Sequence, residues 1–407
     1  MKPVLFSICL VMFSTVIHGQ NLPELLTGKN INATFSIVGY DEQRKEWGIA
    51  VATNNIYVGN STVYIEPGVG AFSTIAETEP TYAFNGFRLL KESKTIQEAI
   101  EYTMKTDAEA YLRQVGGLDA NGNAFAFTGS TLKSWKGNAG HITGKNFVVM
   151  GNQLADSVLT AMANTFQQTS GLLSERLLKS LLAGQKAGGQ LNGKQSAALV
   201  VKGLNNEWFN QVDLRVDHSL TPFDDLQRLF NYHYGRIQLN QAITALQNGN
   251  KERGRSLLLG AIPMIEGWNG IYSKVAKAWI MLKDEQKAVE VIKKALAENS
   301  RWKENLPAFY CLADDPAIKN LFKTEDYTVA DWNNAISMFM GIGQYTQAIE
   351  LAKKVLLQFP RSAYTAYLLG GAYEKTGDKQ QARKEYQRSL TLDPDNQEVR
   401  AALDALK

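Results

Sequence analysis

The chain has 407 residues, of which 44% are hydrophobic and 20% charged, and its formal net charge is +3. This composition is typical of a globular protein with two or three domains. The near-neutral balance and the lack of any run of five like charges argue against a nucleic-acid or membrane-surface partner.

The N-terminus has the pattern of a secretory signal peptide. Lys2 precedes an uncharged, apolar run over residues 4–17, and small residues follow at Gly19. The run is short for a membrane span, so we expect a signal peptide at 1–19 and no membrane span after its removal. Only Cys311 would remain after cleavage, so no intramolecular disulfide is expected. These features predict a periplasmic or secreted bacterial protein.

A pro-segment or linker is expected at residues 20–33, and a domain with helices inserted between groups of strands follows over 34–217. Asn121-Gly122 is a strong hairpin turn signal. Hydrophobic alternation predicts strands at 34–40, 47–53, 68–76, 112–119, 123–129, 146–150, 195–201 and 208–216. Helical spacing of apolar residues predicts helices at 84–104, 154–168 and 172–184. This order predicts an α+β domain with two stacked antiparallel sheets covered by helices.

The C-terminal part, residues 218–407, has helical patterns and an internal repeat. Four residues recur 34 positions later in the next unit: Gly343, Ala348, Leu356 and Pro360 are followed by Gly377, Ala382, Leu390 and Pro394. A period of 34 residues with helix–turn–helix units is the signature of tetratricopeptide repeats. We therefore expect an all-α solenoid of tetratricopeptide (TPR) type, with a groove that binds a protein partner or a peptide.

Metal and histidine chemistry find little support in the sequence. Beyond the signal peptide, the histidines are His141, His218 and His233, which lie far apart and outside any H-E-x-x-H pattern. A G-x-S-x-G motif is absent as well. The glycine-rich stretch 188–195 lacks the hydroxyl residue that a phosphate loop needs after its lysine. We expect no metal and no cofactor.

Thr34 opens the first predicted strand and has two interpretations. Threonine is favoured in strands, so an ordinary structural role is one of them. The other is nucleophilic catalysis, because an N-terminal threonine can use its own α-amine, which titrates near neutral pH, as a general base. This chemistry requires that nothing precedes the threonine.

Several segments of the domain resemble a family of bacterial and archaeal proteins of unknown function that is grouped with the N-terminal nucleophile (Ntn) hydrolases. The matching segments are T-F-S-I-V at 34–38, G-I-A-V-A at 48–52, P-G-V-G-A at 67–71, F-T-G at 127–129, G-N-Q-L at 151–154, G-K-Q-S-A-A-L at 193–199 and D-L-R-V-D at 213–217. The resemblance implies a four-layer αββα sandwich and places a nucleophile at Thr34. Since residues 20–33 precede Thr34, a second cut at the Ala33–Thr34 bond would be needed.

Asn152 is the second candidate catalytic residue. Its side-chain amide could donate to the oxyanion of a tetrahedral intermediate, together with a backbone N–H. The alternative is that Asn152 is a turn residue or the N-cap of the following helix.

Five residues are candidates for substrate binding. Ser36, Gln195 and Ser196 could line the site or could satisfy the ends of strands. Asp213 and Arg215 alternate along a strand and share one face with Asp217, which suits either a structural ion-pair network or binding of a substrate carboxylate.

Two functional hypotheses follow. In the first, the protein is an exported Ntn-type hydrolase that cleaves an amide bond in an unidentified substrate, and its repeats bind a partner or a peptide. In the second, the protein is a non-catalytic scaffold: the αββα domain is inactive and the TPR-like solenoid docks a partner.

Overall fold

The structure is a computed structural model, and it describes residues 33–205 and 211–406. The predicted signal peptide 1–19 and all of the predicted pro-segment 20–33 except Ala33 lie outside the described residues. The described residues up to Phe223 form one compact unit, and those from Asp224 onward form a second. The predicted α+β region followed by a helical repeat region is confirmed at this level.

Ten strands in the described part of the first unit form two antiparallel sheets. The six-stranded sheet has the order β10-β9-β2-β1-β8-β7, and the four-stranded sheet has the order β3-β4-β5-β6. The strands are β1 (Thr34–Asp41), β2 (Glu46–Thr53), β3 (Val63–Glu66), β4 (Gly70–Ala76), β5 (Arg113–Asp119), β6 (Ala124–Thr128), β7 (Asn138–Gly144), β8 (Phe147–Leu154), β9 (Ser196–Gly203) and β10 (Val212–Val216).

Strand β1 is buried along its whole length. Successive side chains of a strand point to opposite faces, so Thr34, Ser36 and Val38 share one face. Val38 packs with residues of both sheets, including Ala71 of β4, and the Ser73 hydroxyl of β4 donates to Ser36. This face of β1 therefore looks toward the other sheet, which places Thr34 at one end of the layer between them.

Helices cover the first unit, and five of them lie in its described part. Glycines allow the close approach of α5 to the six-stranded sheet, because a Cβ at Gly48 would lie 2.5 Å from Leu177. At Gly86 of α2, a Cβ would lie 2.4 Å from the Phe72 ring of β4. The helices are α1 (Val58–Ser61), α2 (Thr81–Lys91), α3 (Ile96–Met104), α4 (Val158–Gln168) and α5 (Leu173–Lys186).

The single helix predicted at 84–104 is wrong, because the structure has two helices there, α2 and α3. Ser93, between them, has a φ of 63°, which a continuing α-helix does not allow. Thr95 then starts α3 with a capping box, in which its hydroxyl accepts from the Glu98 amide and the Glu98 carboxylate accepts from the Thr95 amide. The polar stretch K-E-S-K-T thus ends one helix and begins the next.

Two strands were not predicted, β3 and β7. Both are half-buried edge strands. β3 has only four residues, and β7, N-A-G-H-I-T-G, has few apolar residues, so each has a weak strand signal. The predicted hairpin turn at Asn121-Gly122 is confirmed, and Gly122 takes the positive φ of 78° that this turn requires.

The second unit consists of helices in its described part. They are α6 (Pro222–Gln247, which begins two residues before the unit boundary), α7 (Lys251–Ala261), α8 (Tyr272–Met281), α9 (Glu285–Glu298), α10 (Val329–Gly341), α11 (Tyr345–Gln358), α12 (Ala363–Lys375), α13 (Lys379–Leu392) and α14 (Gln397–Ala405). Short 3₁₀ turns occupy most of the stretch between α9 and α10.

The helix pairs share one turn geometry. A residue with positive φ follows the first helix of four pairs: Gly249, Lys283, Gly343 and Gly377. Ala348 and Ala382, which recur with the 34-residue period, are both fully buried. Small side chains there allow the helices of one pair to approach closely, as the 34-residue period predicts.

In the described part of the chain, no helix is both long enough and apolar enough to span a membrane.

Candidate functional site

Thr34 is the first residue of β1, one of the two central strands of the six-stranded sheet. In the two ladders it faces Thr53 of β2 and Asn152 of β8. Its hydroxyl Oγ1 lies 3.0 Å from Thr53 Oγ1, and its backbone N–H donates to Asn152 Oδ1 at 3.3 Å. Thr34 is 4% exposed. The hydroxyl therefore lies among buried polar groups at the end of the sheet rather than on the surface.

The peptide carbonyl in front of Thr34 is held by two donors. Ala33 is fully buried, and its carbonyl oxygen accepts from Thr53 Oγ1 at 2.8 Å and from the Asn54 amide at 3.3 Å. The Thr53 hydroxyl thus donates to Ala33 and, having one proton, accepts from Thr34. The Ala33–Thr34 bond is well packed, and while it is intact the Thr34 nitrogen is an amide without basicity.

Asn152 lies inside strand β8 and is fully buried. The alternative interpretation of this residue as a turn or helix cap is wrong, because β8 continues to Leu154, four residues beyond the predicted end at Met150. The side chain accepts from Thr34 N through Oδ1 and donates through Nδ2 to Gln114 Oε1 at 3.1 Å. Of the two Nδ2 hydrogens, one is therefore taken by Gln114.

Ser36 and Ser196 lie near Thr34 but make structural hydrogen bonds. Ser36 accepts from Ser73 Oγ at 3.1 Å between the sheets. Ser196, across β2 from Thr34, donates to the Asn55 carbonyl at 2.6 Å. Both serines are fully buried. They extend the polar character of this sheet end without pointing a free hydroxyl at Thr34.

The other three predicted binding residues lie at or near the surface. Gln195 Nε2 lies 2.7 Å from Nδ1 of His218. Asp213 and Arg215 form a bidentate ion pair on the outer strand β10, with distances of 2.7 and 3.1 Å, and both are exposed. Exposed pairs of this kind contribute little to stability. The structure does not bring these three side chains into the buried cluster around Thr34.

Two further members of the site were missed by the sequence analysis, Thr53 and Gln114. Gln114 Nε2 lies 2.9 Å from the Gly140 carbonyl and 3.0 Å from the Gly151 carbonyl, and Gln114 is fully buried. The sequence feature that could have identified Thr53 and Gln114 is a polar residue within a predicted buried strand. The hydrogen-bond partners of these two residues depend on the pairing of strands that are far apart in sequence, and no local sequence pattern predicts that pairing.

The described partners of Thr34, Asn152 and Gln114 are all uncharged. A titratable group lies near Gln114: the Thr128 hydroxyl is 3.0 Å from Gln114 Nε2 and 2.8 Å from His141 Nδ1. Burial, with a smaller contribution from Lys133, lowers the pKa of His141. The lowered pKa favours the neutral form of His141.

An ion pair flanks the site at the start of β5, directly before Gln114. Arg113 donates to Asp107 at 2.9 Å and to Glu109 at 2.8 Å, and it is 9% exposed. Burial by itself raises the pKa of the Asp107 carboxyl, but hydrogen bonds from Arg113 and from the Glu109 amide hold that pKa below its usual range. This pair anchors the strand that carries Gln114.

The described residues contain no group of three or more histidine, cysteine, aspartate or glutamate side chains that could hold a metal ion. What the cluster offers is a set of hydroxyl and carboxamide groups around one backbone nitrogen. Such groups can orient an amine, accept or donate single hydrogen bonds and stabilise an oxyanion.

These features define an α+β domain with a buried hydroxyl–carboxamide cluster, followed by helical repeats. Both parts of the chain match known family models. Residues 34–226 match a family model described as a family of unknown function (DUF1028), and residues 340–406 match a tetratricopeptide repeat model. The first part of the chain is therefore similar to DUF1028 proteins, and its last part is similar to tetratricopeptide repeats. The family match begins at Thr34.

Solved structures are similar to one or the other part. A crystal structure from Silicibacter pomeroyi, described by the same DUF1028 family model, is 28% identical; the alignment covers 49% of this chain and 84% of that one, with a TM-score of 0.45. MamA from Desulfovibrio magneticus is 19% identical over 42% of this chain and 82% of its own, with a TM-score of 0.22. PilF from Pseudomonas aeruginosa is 17% identical over 44% and 68%, with a TM-score of 0.21. No curated protein matches the chain.

Proposed function

We propose that the first domain is an Ntn-type amide hydrolase whose nucleophile is Thr34 once the Ala33–Thr34 bond is cut. The observation that carries this proposal is the cluster of Thr34, Thr53, Asn152 and Gln114. All four residues are nearly or fully buried. The two hydroxyls lie within hydrogen-bond distance of each other, the two carboxamides are hydrogen-bonded to each other, and the Thr34 backbone nitrogen joins the two pairs by donating to Asn152. Burial of polar groups costs stability relative to an apolar core, so a cluster confined to one strand end supports a functional role.

The chemistry needs the α-amine that a cut would create. The Thr34 hydroxyl attacks the carbonyl carbon of an amide substrate while the α-amine accepts the hydroxyl proton. The amine then passes that proton to the leaving nitrogen, the C–N bond breaks and an ester forms on Thr34. Water, deprotonated by the same amine, hydrolyses the ester and restores the hydroxyl. A free α-amine has a pKa of roughly 7.7–8.0, which suits a base at neutral pH.

The oxyanion of this reaction requires hydrogen-bond donors. Asn152 Nδ2 keeps a second hydrogen after its bond to Gln114, and we assign that hydrogen to the oxyanion together with a backbone N–H. The proposal thus keeps the role for Asn152 that the sequence suggested and adds a second one, since its Oδ1 accepts from the Thr34 nitrogen.

The layer arrangement supports the same class of enzyme. The two sheets face each other through Val38 and Ala71, helix α5 packs on the six-stranded sheet, and α2 packs on the four-stranded sheet. We infer from this order a four-layer αββα sandwich of the Ntn-hydrolase kind. In such a sandwich Thr34 lies at one end of the space between the two sheets.

The repeats suggest a protein-interaction region. We propose that their groove binds the substrate protein or a partner that presents it, and that the protein is exported to the periplasm or secreted. The signal-peptide pattern at residues 1–19 motivates the proposed location.

A scaffold function is the second candidate, and one observation favours it. Ala33 is fully buried and its carbonyl is held by two donors, so the bond in front of Thr34 is packed and hydrogen-bonded within the domain. If this bond stays intact, Thr34 has no base and the DUF1028 domain supports the repeats without catalysis.

The test uses two chains that differ by one residue. The Thr34-start chain is expressed as Met followed by residues 34–407, and the Ala33-start chain as Met followed by residues 33–407; the methionine is removed before either small residue. Each is treated with a β-lactone probe that acylates hydroxyl nucleophiles, and the adduct is located by tandem mass spectrometry. We expect a hydroxylamine-labile ester on Thr34 in the Thr34-start chain alone.

Two outcomes decide between the functions. Equal labelling of Thr34 in both chains would exclude its α-amine as the base. No labelling in the folded Thr34-start chain would support the scaffold. In the Thr34-start chain, Thr34→Ala is expected to lose the adduct and Thr34→Ser to keep it.

A further inference from the structure

The orientation of the hydrogen-bond chain behind Thr34 is fixed by two backbone carbonyls. Gly140 O and Gly151 O can only accept, so the group of Gln114 that lies 2.9 and 3.0 Å from them must be its NH₂. The Gln114 carbonyl oxygen then points the other way, toward Asn152. A fully buried glutamine with both ends engaged cannot turn over without breaking these contacts.

This direction is passed on to Asn152. Because Gln114 Oε1 accepts, the Asn152 group 3.1 Å away is its NH₂, and the Asn152 carbonyl oxygen is the atom that faces Thr34 N at 3.3 Å. The carbonyls of β7 and β8 thus fix the orientation of the Gln114 carboxamide, which in turn fixes the Asn152 carboxamide with its oxygen toward the Thr34 nitrogen.

We propose that Gln114 is a positioning residue for the Thr34 amine, an inference that rests on the hydrolase function proposed above. The neutral α-amine has two N–H donors and one lone pair, and only the lone pair acts as a base. With Asn152 Oδ1 accepting an N–H, the lone pair stays available for the Thr34 hydroxyl. With Asn152 turned over, its NH₂ would donate to the lone pair and occupy it.

The outer end of the chain provides a matched control. The Thr128 hydroxyl is a third neighbour of Gln114 Nε2, at 3.0 Å, and it lies near His141. Thr128→Val keeps the side-chain shape and removes this outer link, yet it leaves Gln114 bound to both carbonyls and to Asn152. It therefore changes the network without freeing Asn152.

The experiment compares Gln114→Met and Thr128→Val in the Thr34-start chain, which keeps both units of the protein. For each variant the rate of β-lactone esterification at Thr34 is measured from pH 5 to 10, and thermal unfolding is measured in parallel. Gln114→Met is expected to lower the plateau rate about tenfold, the equivalent of one hydrogen bond. Its half-maximal pH is expected to fall below that of the unsubstituted chain, because an NH₂ donor favours the neutral amine. Thr128→Val is expected to keep both the rate and the half-maximal pH.

A purely structural role for Gln114 predicts a different pattern. In that case Gln114→Met lowers thermal stability and leaves the half-maximal pH of the folded protein unchanged, which would overturn the proposal. Gln114→Asn, which keeps a carboxamide but is one methylene too short to hold Asn152, is the second variant should the methionine variant not fold; the same shift is expected. Failure of the hydrolase function itself gives a separate result, since the unsubstituted Thr34-start chain would not be esterified.

Discussion

The helical repeats and the strand ends around Thr34 are held together in different ways. In the repeats, each helix packs on its neighbours along the chain, so the same contacts recur at Ala348 and Ala382, 34 residues apart. At Thr34, one side chain and its nitrogen meet partners 19 and 118 residues away. Loss of one contact in a repeat should therefore affect only the neighbouring helices, whereas the site depends on several distant strands at once.

The largest effect is expected from Gly151→Ala, next to Asn152 on β8. A Cβ there would lie 2.6–2.9 Å from Leu154, Phe35 and the Thr34 carbonyl oxygen, so β8 must move away from β1. We expect a loss of roughly 3 kcal/mol, at the upper end of the usual cost of overpacking, and loss of esterification at Thr34. Urea unfolding and the β-lactone assay in the Thr34-start chain measure these two effects.

The control for this prediction is the ladder partner of Gly151, Gly140 on β7. A Cβ at Gly140 meets only one atom, at an ordinary 3.8 Å. Gly140→Ala should therefore keep stability within about 1 kcal/mol and retain esterification. Equal losses in both variants would mean that the tight packing of β8 on β1 does not hold the site.

A change of comparable size in the repeats should stay local. Ala382 is fully buried between the helices of the last complete pair, and Ala382→Leu is expected to cost about 1–3 kcal/mol. Hydrogen exchange should increase in α12 to α14, while esterification at Thr34 in the Thr34-start chain stays unchanged. Ala401→Leu, at an exposed position of α14, is the matched control. Reduced Thr34 reactivity in Ala382→Leu would show that the two regions are not independent.

The ion pair beside the site predicts a pH dependence. The pKa of Asp107 is lower in the folded protein than in the unfolded chain, so the pair stabilises the fold above a pH of about 4, and this stabilisation is lost as the pH falls through the folded pKa. Asp107→Asn should therefore cost about 1–3 kcal/mol at pH 7 and progressively less below pH 4. Unfolding curves at several pH values measure the difference.

Glu109→Gln serves as the comparison, because the Glu109 side chain is 58% exposed although it also accepts from Arg113. Glu109→Gln should change the free energy of unfolding by less than about 1 kcal/mol, both at pH 7 and below pH 4. An Asp107→Asn effect that does not depend on pH would contradict the assignment of the stabilisation to the charged carboxylate.

The smallest effect is expected at Lys283. It has a φ of 61° at the turn where the other helix pairs have Gly249, Gly343 and Gly377. A side chain in this left-handed conformation is strained, so Lys283→Gly should stabilise the second unit by about 0.5–1 kcal/mol. Lys303→Gly, in a 3₁₀ segment without positive φ, should not stabilise. A destabilised Lys283→Gly variant would show that the lysine side chain has a role the turn does not require.

The same contrast explains what could be predicted from the sequence. The period of 34 residues and the alternation in T-F-S-I-V are local patterns, so the repeats and the first strand were predicted correctly. Thr34 could be singled out because chemistry requires a hydroxyl at a strand start. Gln114 could not, since its importance depends on the pairing of β5 with β4 and β6 and on the carbonyls of β7 and β8, which the local sequence does not report.

Two other candidate positions have surroundings that the local sequence does not predict. Asp213 and Arg215 stand in a family-like motif, yet β10 is an edge strand, so their ion pair is exposed. Asn152 precedes a predicted helix, yet the sheet extends β8 past it and turns its side chain toward Gln114. Sheet position, which is a property of the whole domain, decided both.

The state of the Ala33–Thr34 bond is the most direct test of the central claim. The full chain with its N-terminal segment is expressed in a Gram-negative bacterium, purified from the periplasm, and examined by intact mass and N-terminal sequencing. The hydrolase account predicts a mature chain that begins at Thr34. A mature chain that begins upstream of Thr34, with no species cut at Ala33–Thr34, would contradict it.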